Sequence, residues 1–175
     1  MYSNRKIISI LLLLFFGAII FGCLLNSKNG PAEFFSAKIP TNFQGQKAIV
    51  NFNNSQIDSL KKLIVTEPKL EIVGDGYSGY VFYFWYKPET AGEIYIKGYE
   101  ATNNIPLSNS NLEENTLNEI QNGSENYVLF KGESIISEGT MEKYFPARFE
   151  VWFTSKNKSQ KKVLEKLYII DGWDR

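Results

Sequence analysis

The chain has no histidine and a single cysteine, Cys23, among its 175 residues. Without histidine, neither a Ser–His–Asp nor a Cys–His catalytic arrangement can be built. Zinc sites made from histidine and cysteine are excluded for the same reason. One cysteine cannot close an internal disulfide. An excess of charge is also missing, because 19 basic residues balance 19 acidic ones. Nucleic acid is therefore not an expected partner, since its binders carry a strongly basic face. No phosphate-cradling GxxxxGK[ST], nucleophile elbow or SxxK occurs. No segment repeats at a period of about 20–50 residues. The composition, 43% hydrophobic and 22% charged, is that of a globular protein and excludes disorder throughout. The length suits one domain with one core.

What is present begins with Arg5 and Lys6, followed by an uncharged apolar run of 19 residues from Ile7 to Leu25. As a helix it spans roughly 28 Å, close to the hydrocarbon thickness of about 30 Å. It reads either as a signal peptide or as an uncleaved signal anchor with Arg5 and Lys6 on the cytoplasmic side. Cys23 stands near the end of the run, behind Ile20, Phe21 and Gly22. This stretch resembles the lipobox of bacterial lipoproteins. Ile20 takes the aliphatic position and Gly22 the small position before the cysteine. Phe21 departs from the pattern, where a small residue is usual. The resemblance implies cleavage before Cys23, thioether lipidation of its sulfur and acylation of the new N-terminus. Two or more acyl chains give stable anchoring. Leu24 is not the Asp of an inner-membrane retention signal, which favours the outer membrane where the host has one. In each of these readings the remaining chain lies outside the cytoplasm, in the bacterial cell envelope. The expected organisation is a leader or anchor at 1–22, a lipidated Cys23 with a Gly- and Pro-containing tether to 37, and one domain over 38–175.

Within that domain the pattern is mostly β. Lys47–Phe52 alternates Ala48, Val50 and Phe52 against polar residues. Leu70 and Ile72 precede Gly74-Asp75-Gly76, a turn signal. The most aromatic stretch, YSGYVFYFWYK, runs from Tyr77 to Lys87. It places Tyr77, Val81, Tyr83 and Trp85 on one face and Tyr80, Phe82, Phe84 and Tyr86 on the other, so it is bulky on both sides. Pro88–Gly92 turns the chain into Glu93–Ala101, and these two segments are expected to pair as a hairpin. Further strands are expected at Tyr127–Lys131, Glu133–Ser137, Ala147–Ser155 and Val163–Asp171. Lys156–Lys162 reads as a polar connection. Helical spacing of Ile57, Leu60, Leu63 and Ile64 predicts a helix over Ser55–Ile64. Asn111–Ile120 is either a short helix capped by Ser110 or Asn111 or part of a long polar loop over 102–126. About seven strands with one or two short helices argue an all-β fold, a single antiparallel β-sandwich of immunoglobulin-like or transthyretin-like size. In anchor, size and strand content the chain is similar to the small transthyretin-like lipoproteins of secretion systems. No motif beyond the lipobox is matched, so no site residues transfer.

Candidate site residues follow from exposed aromatics and charge. Tyr83, Trp85, Tyr95 and Tyr99 on strands, and Glu113 and Glu114 in the acidic segment, are the expected partner-binding set, with Cys23 the lipid attachment point. Interface energetics favour Tyr and Trp. The plainer account makes Tyr77–Tyr86 a two-sided core strand and the acidic run a solvated loop. From Glu100 to Glu142 there are eight Glu and only Lys131, whereas Lys143–Arg175 holds eight basic and four acidic residues. The lysines of 156–166 either meet anionic headgroups or form a solvated loop. Asp171 and Asp174 lack the DxDxDG spacing of a calcium site. No catalytic residue, metal ligand or cofactor is expected. The function expected is a non-enzymatic, membrane-anchored module that binds another envelope protein. Alternatives are a carbohydrate-binding module or small glycan-acting protein, and an envelope immunity or inhibitor protein. The loop 102–126 is expected to be a contact surface that folding does not need.

Overall fold

In the computed structural model the described residues are 39–49, 54–74, 79–136 and 144–171. The apolar run, Cys23, the tether up to residue 38, Val50, Phe52, Asp75–Tyr77, Ser137 and Asp174 lie outside them. Nine strands and two helices are described: β1 (Gln46–Lys47), α1 (Asn54–Lys61), β2 (Lys69–Gly74), β3 (Tyr80–Tyr86), β4 (Gly92–Glu100), β5 (Ile105–Pro106), α2 (Asn109–Thr116), β6 (Asn118–Ile120), β7 (Val128–Ser134), β8 (Tyr144–Ser155) and β9 (Gln160–Asp171). They form two sheets. One has the order β1-β9-β8-β4-β5, with β6 also paired to β4; the other is β2-β3-β7. Every pairing is antiparallel except the short β1–β9 contact. The all-β sandwich expected from the sequence is thus the fold of the described residues.

The core lies between the sheets. Alternation on β8 turns Phe145, Ala147, Phe149, Val151 and Phe153 inward, and all five are buried. They meet the inward face of β3. The Phe82 and Phe149 rings lie 5.5 Å apart, as do Tyr86 and Phe153. Phe149 also meets Tyr168 edge-on at 6.0 Å. Such tilted pairs add roughly 0.5–1.5 kcal/mol each beyond their buried area.

All seven residues of β3 are buried. Its outward face, Val81, Tyr83 and Trp85, joins Val73 under Ile57 and Leu60 of α1 and beside Val65, Tyr127 and Leu129. A strand apolar on both faces is therefore covered on both: by the larger sheet inside and by α1 outside. This settles in favour of the core what the aromatic run left open. It also corrects the expected hairpin. β3 pairs with β2 on one side and β7 on the other, so no edge remains for β4. Pro88 cannot donate to a ladder. It is buried, and its carbonyl instead accepts the Ser124 N–H at 2.8 Å, so the chain bends across to the other sheet. The two strands expected over 127–137 are one strand, β7, and the polar connection at 156–162 is shorter, because β9 begins at Gln160.

The two seams between the sheets are each closed. On the β9–β2 side, residues 46–49 run from one sheet to the other. Gln46 and Lys47 pair with Tyr168 and Ile169, and then Ile49 N–H donates to the Ile72 carbonyl at 3.0 Å. Tyr168 spans the same seam, its hydroxyl donating to the Leu70 carbonyl at 2.9 Å. Burial, with the Glu71 carboxylate second, raises the Tyr168 pKa far above the ordinary tyrosine value, so the hydroxyl remains a donor.

On the β4–β7 side the closure comes from residues 105–120. Gly92–Ile94 pair with β6 and Tyr99–Glu100 with β5. Between them Ile96 N–H donates to Thr116 Oγ1 at 2.9 Å, and the Gly98 carbonyl accepts Leu107 N–H at 2.9 Å. Leu107, Leu112 and Thr116 are fully buried. Gly132 of β7 lies beneath Thr116, where a Cβ would come within 2.6 Å of the Thr116 Cα. The carboxylate of Glu100, itself fully buried, accepts from Thr102 N–H, Thr102 Oγ1 and Asn103 N–H at 2.9, 2.6 and 2.6 Å and so holds the turn into β5. The segment 102–126 is thus a structural closure, not a dispensable loop. Its Asn, Ser and Glu content concealed the few buried residues that matter. Leu112→Ala is expected to cost about 2–5 kcal/mol in urea unfolding. Replacing 102–126 by a short Gly/Ser linker is expected to abolish the cooperative transition, and an unchanged midpoint would refute the closure.

Candidate functional site

The outer face of the larger sheet collects residues from three strands by register alone. Across β4 and β8, Tyr95 stands opposite Trp152, Lys97 opposite Glu150 and Tyr99 opposite Arg148. Across β8 and β9, Glu150 stands opposite Glu165 and Arg148 opposite Leu167; past a bulge at Val151/Trp152, Trp152 meets Lys162. Cross-strand neighbours of this kind are close enough to interact directly.

Lys97 Nζ lies 5.7 Å from the Tyr95 ring centre and 5.2 Å from that of Trp152. It also lies 3.8 Å from Glu113 on α2. The Arg148 guanidinium sits 4.7 Å over Tyr99. Two cations thus cover three aromatic rings. Glu150, nearly buried, gathers the charges: Trp152 Nε1 donates to it at 2.7 Å and Lys162 Nζ at 3.3 Å. Arg148 Nε is 3.2 Å from Glu150 Oε1 but is not aligned with it, and it has no hydrogen-bond partner. That contact is therefore Coulombic attraction without a hydrogen bond. Lys162 also bonds Glu165 at 2.6 Å. The Lys162 hydrogen bond, opposed by desolvation, holds the Glu165 pKa below its usual value; the same bond raises the Lys162 pKa.

The expected site residues divide between two surfaces. Tyr95, Tyr99 and Glu113 belong to this face, Tyr95 nearly buried and the other two half-exposed. Glu114 is exposed on α2. Tyr83 and Trp85 do not belong to it: at 4% and 3% exposure they lie under α1 on the opposite sheet. The proposed contact face around them is corrected accordingly, because a side chain buried beneath a helix offers no surface to a partner. Cys23 lies outside the described residues. Lys97, Arg148, Glu150 and Trp152 were missed as site residues. Their alternation was visible, but their partners were not, since each belongs to another strand.

Two depressions lie elsewhere. One of about 480 Å³ is lined by Leu63, Ile64, Val65, Trp85 and Leu129, with the exposed Lys87–Glu125 pair at its rim. The other, about 420 Å³, holds Glu93, Glu119, Lys156 and Lys158. Among the described residues no three acidic, cysteine or histidine side chains gather as a metal site. Comparison with known proteins finds nothing similar: no family model, curated protein or solved structure matches the chain.

Two outcomes check this geometry. Trp85→Ala is expected to cost about 3–5 kcal/mol in chemical denaturation, as a core aromatic does; a loss below about 1 kcal/mol would return Trp85 to the surface. Glu165 titrates lower folded than unfolded, so its stabilisation is present above the unfolded carboxylate range and is lost as pH falls through the folded value. Glu165→Gln should therefore flatten the acid limb of a Tm-against-pH curve and leave the neutral region little changed.

Proposed function

We propose that the protein is a non-enzymatic, lipid-anchored module of the bacterial cell envelope that binds another protein through the outer face of its larger sheet. The observation that carries this reading is the half-exposed row of Tyr99, Lys97, Trp152 and Arg148 on one face. Tyr, Trp and Arg are the residues in which binding energy concentrates at protein interfaces. The rigid sheet and the network on Glu150 hold them ready, which reduces the ordering cost of association. The stretch Ile20–Cys23 supports the anchor. A carbohydrate module is favoured less, because sugar stacking needs open ring faces and here Lys97 and Arg148 already lie over them.

The test uses the full chain in its own envelope. Lys97→Ala with Tyr99→Ala should leave Tm within a few degrees and lower capture of the wild-type partner by about tenfold or more. Unchanged capture would remove this face from the reading. Intact mass of the membrane-bound protein is expected to lack residues 1–22 and to carry acyl groups on Cys23; a mass that keeps those residues would sink the lipoprotein assignment.

A further inference from the structure

The lysines of the described residues sort into two kinds. Lys69, Lys87, Lys97, Lys131, Lys162 and Lys166 each lie within ion-pair distance of a carboxylate, and Lys47 stacks on Tyr144. Lys61, Lys62, Lys156, Lys158 and Lys161 are exposed and make no ion pair among the described residues. These five occupy one end of the sandwich. β1 runs parallel to β9, and Ile49, next along the same strap, bridges in parallel to Val73 of β2. β2 and β9 therefore run the same way, and the segments that precede them, 61–68 and 156–159, emerge at the same end.

That end also carries bare apolar surface. Ile64 is 93% exposed and Leu63 38%, directly after Lys61 and Lys62. They are held outward by Val65, which packs against the Trp85 cluster. On the neighbouring β8–β9 hairpin, Lys158 occupies a left-handed backbone conformation at φ 64°. Such a position is cheap for Gly or Asn and strained for Lys. Glu67 is the one carboxylate within these two segments. Glu93 and Glu119, which face each other across β4 and β6, line a depression together with Lys156 and Lys158 but lie within ion-pair distance of neither.

We infer that this end is a membrane-facing surface: Lys61, Lys62, Lys156, Lys158 and Lys161 meet anionic lipid headgroups, and Ile64 with Leu63 enters the boundary between headgroups and acyl chains. An apolar tip beside clustered lysines suits that boundary, where burial and charge act together. The inference rests on the membrane anchoring proposed above and adds the orientation of the domain, which leaves the outer face of the larger sheet free for a protein.

The test is an amine-labelling footprint of the full wild-type chain in two kinds of vesicle, phosphatidylcholine alone and phosphatidylcholine with about one third phosphatidylglycerol. Labelling of the five lysines should fall about threefold or more in the anionic vesicles, with Lys97 and Lys131 unchanged. Ile64→Asp, at an exposed position that folding does not use, should weaken that protection. Equal labelling in both vesicles overturns the inference. Protection that appears in neutral vesicles and grows with protein density overturns it in favour of a second copy. Flotation of the same samples separates the two readings. A chain that floats with neutral vesicles but shows no lysine protection is anchored without this surface. A chain that floats only with anionic vesicles, its lysines protected, has the surface without the anchor.

Discussion

β3 is a strand that no single sheet face can satisfy. Tyr80, Phe82, Phe84 and Tyr86 demand cover on one side, and Val81, Tyr83 and Trp85 on the other. The larger sheet supplies the first and α1 the second. α1 itself has no buried residue and a weakly apolar face, so it owes its place to the aromatic surface beneath it more than to its own propensity. With β2 and β7 bonded to its two edges, β3 becomes the centre of its sheet, and β4 must cross to the other.

That crossing creates a problem at the far edge of β4, which would otherwise present unpaired backbone groups along its length. Residues 105–120 answer it piecewise, with two short strands, a Thr hydroxyl and a loop amide. A regular strand would have done the same work with a recognisable alternation. Here strand backbone, a side-chain hydroxyl and a loop amide share it, and among the residues of this segment whose side chains are described only Leu107, Leu112, Thr116 and Ile120 are buried. The surrounding Asn, Ser and Glu therefore gave the segment the composition of a loop. The opposite seam is closed more simply, by the 46–49 strap and by Tyr168.

The outer face of the larger sheet inherits its chemistry from this arrangement. Arg148, Glu150 and Trp152 alternate outward along β8 because the intervening residues fill the core. β4 brings Tyr95, Lys97 and Tyr99 against them, and β9 brings Lys162 and Glu165. The near-buried Glu150 gathers Arg148 and Trp152 of its own strand and ties β8 to β9 through Lys162. Removing one member of such a group leaves its partners uncompensated, which is why the network restricts the rotamers of the aromatic row beside it.

The sequence by itself determined the faces. Alternation separated the two faces of β3, and of β4 and β8, as the structure has them, because side-chain direction is a local property of an extended chain; which face of β3 is covered, and by what, it left open. It also marked α1 and the β-rich class, and offered a helix over Asn111–Ile120 as one of two readings of the segment where α2 forms at Asn109–Thr116. It did not determine which strand lies beside which. Pairing depends on distant segments competing for the same edge, and register is set by the burial that the whole sandwich permits. Only the tertiary structure therefore placed β3 and β4 in different sheets, turned an apparently polar loop into the closure of a seam, and put Trp85 under a helix while it brought Tyr95, Tyr99 and Glu113 to Lys97 and Arg148.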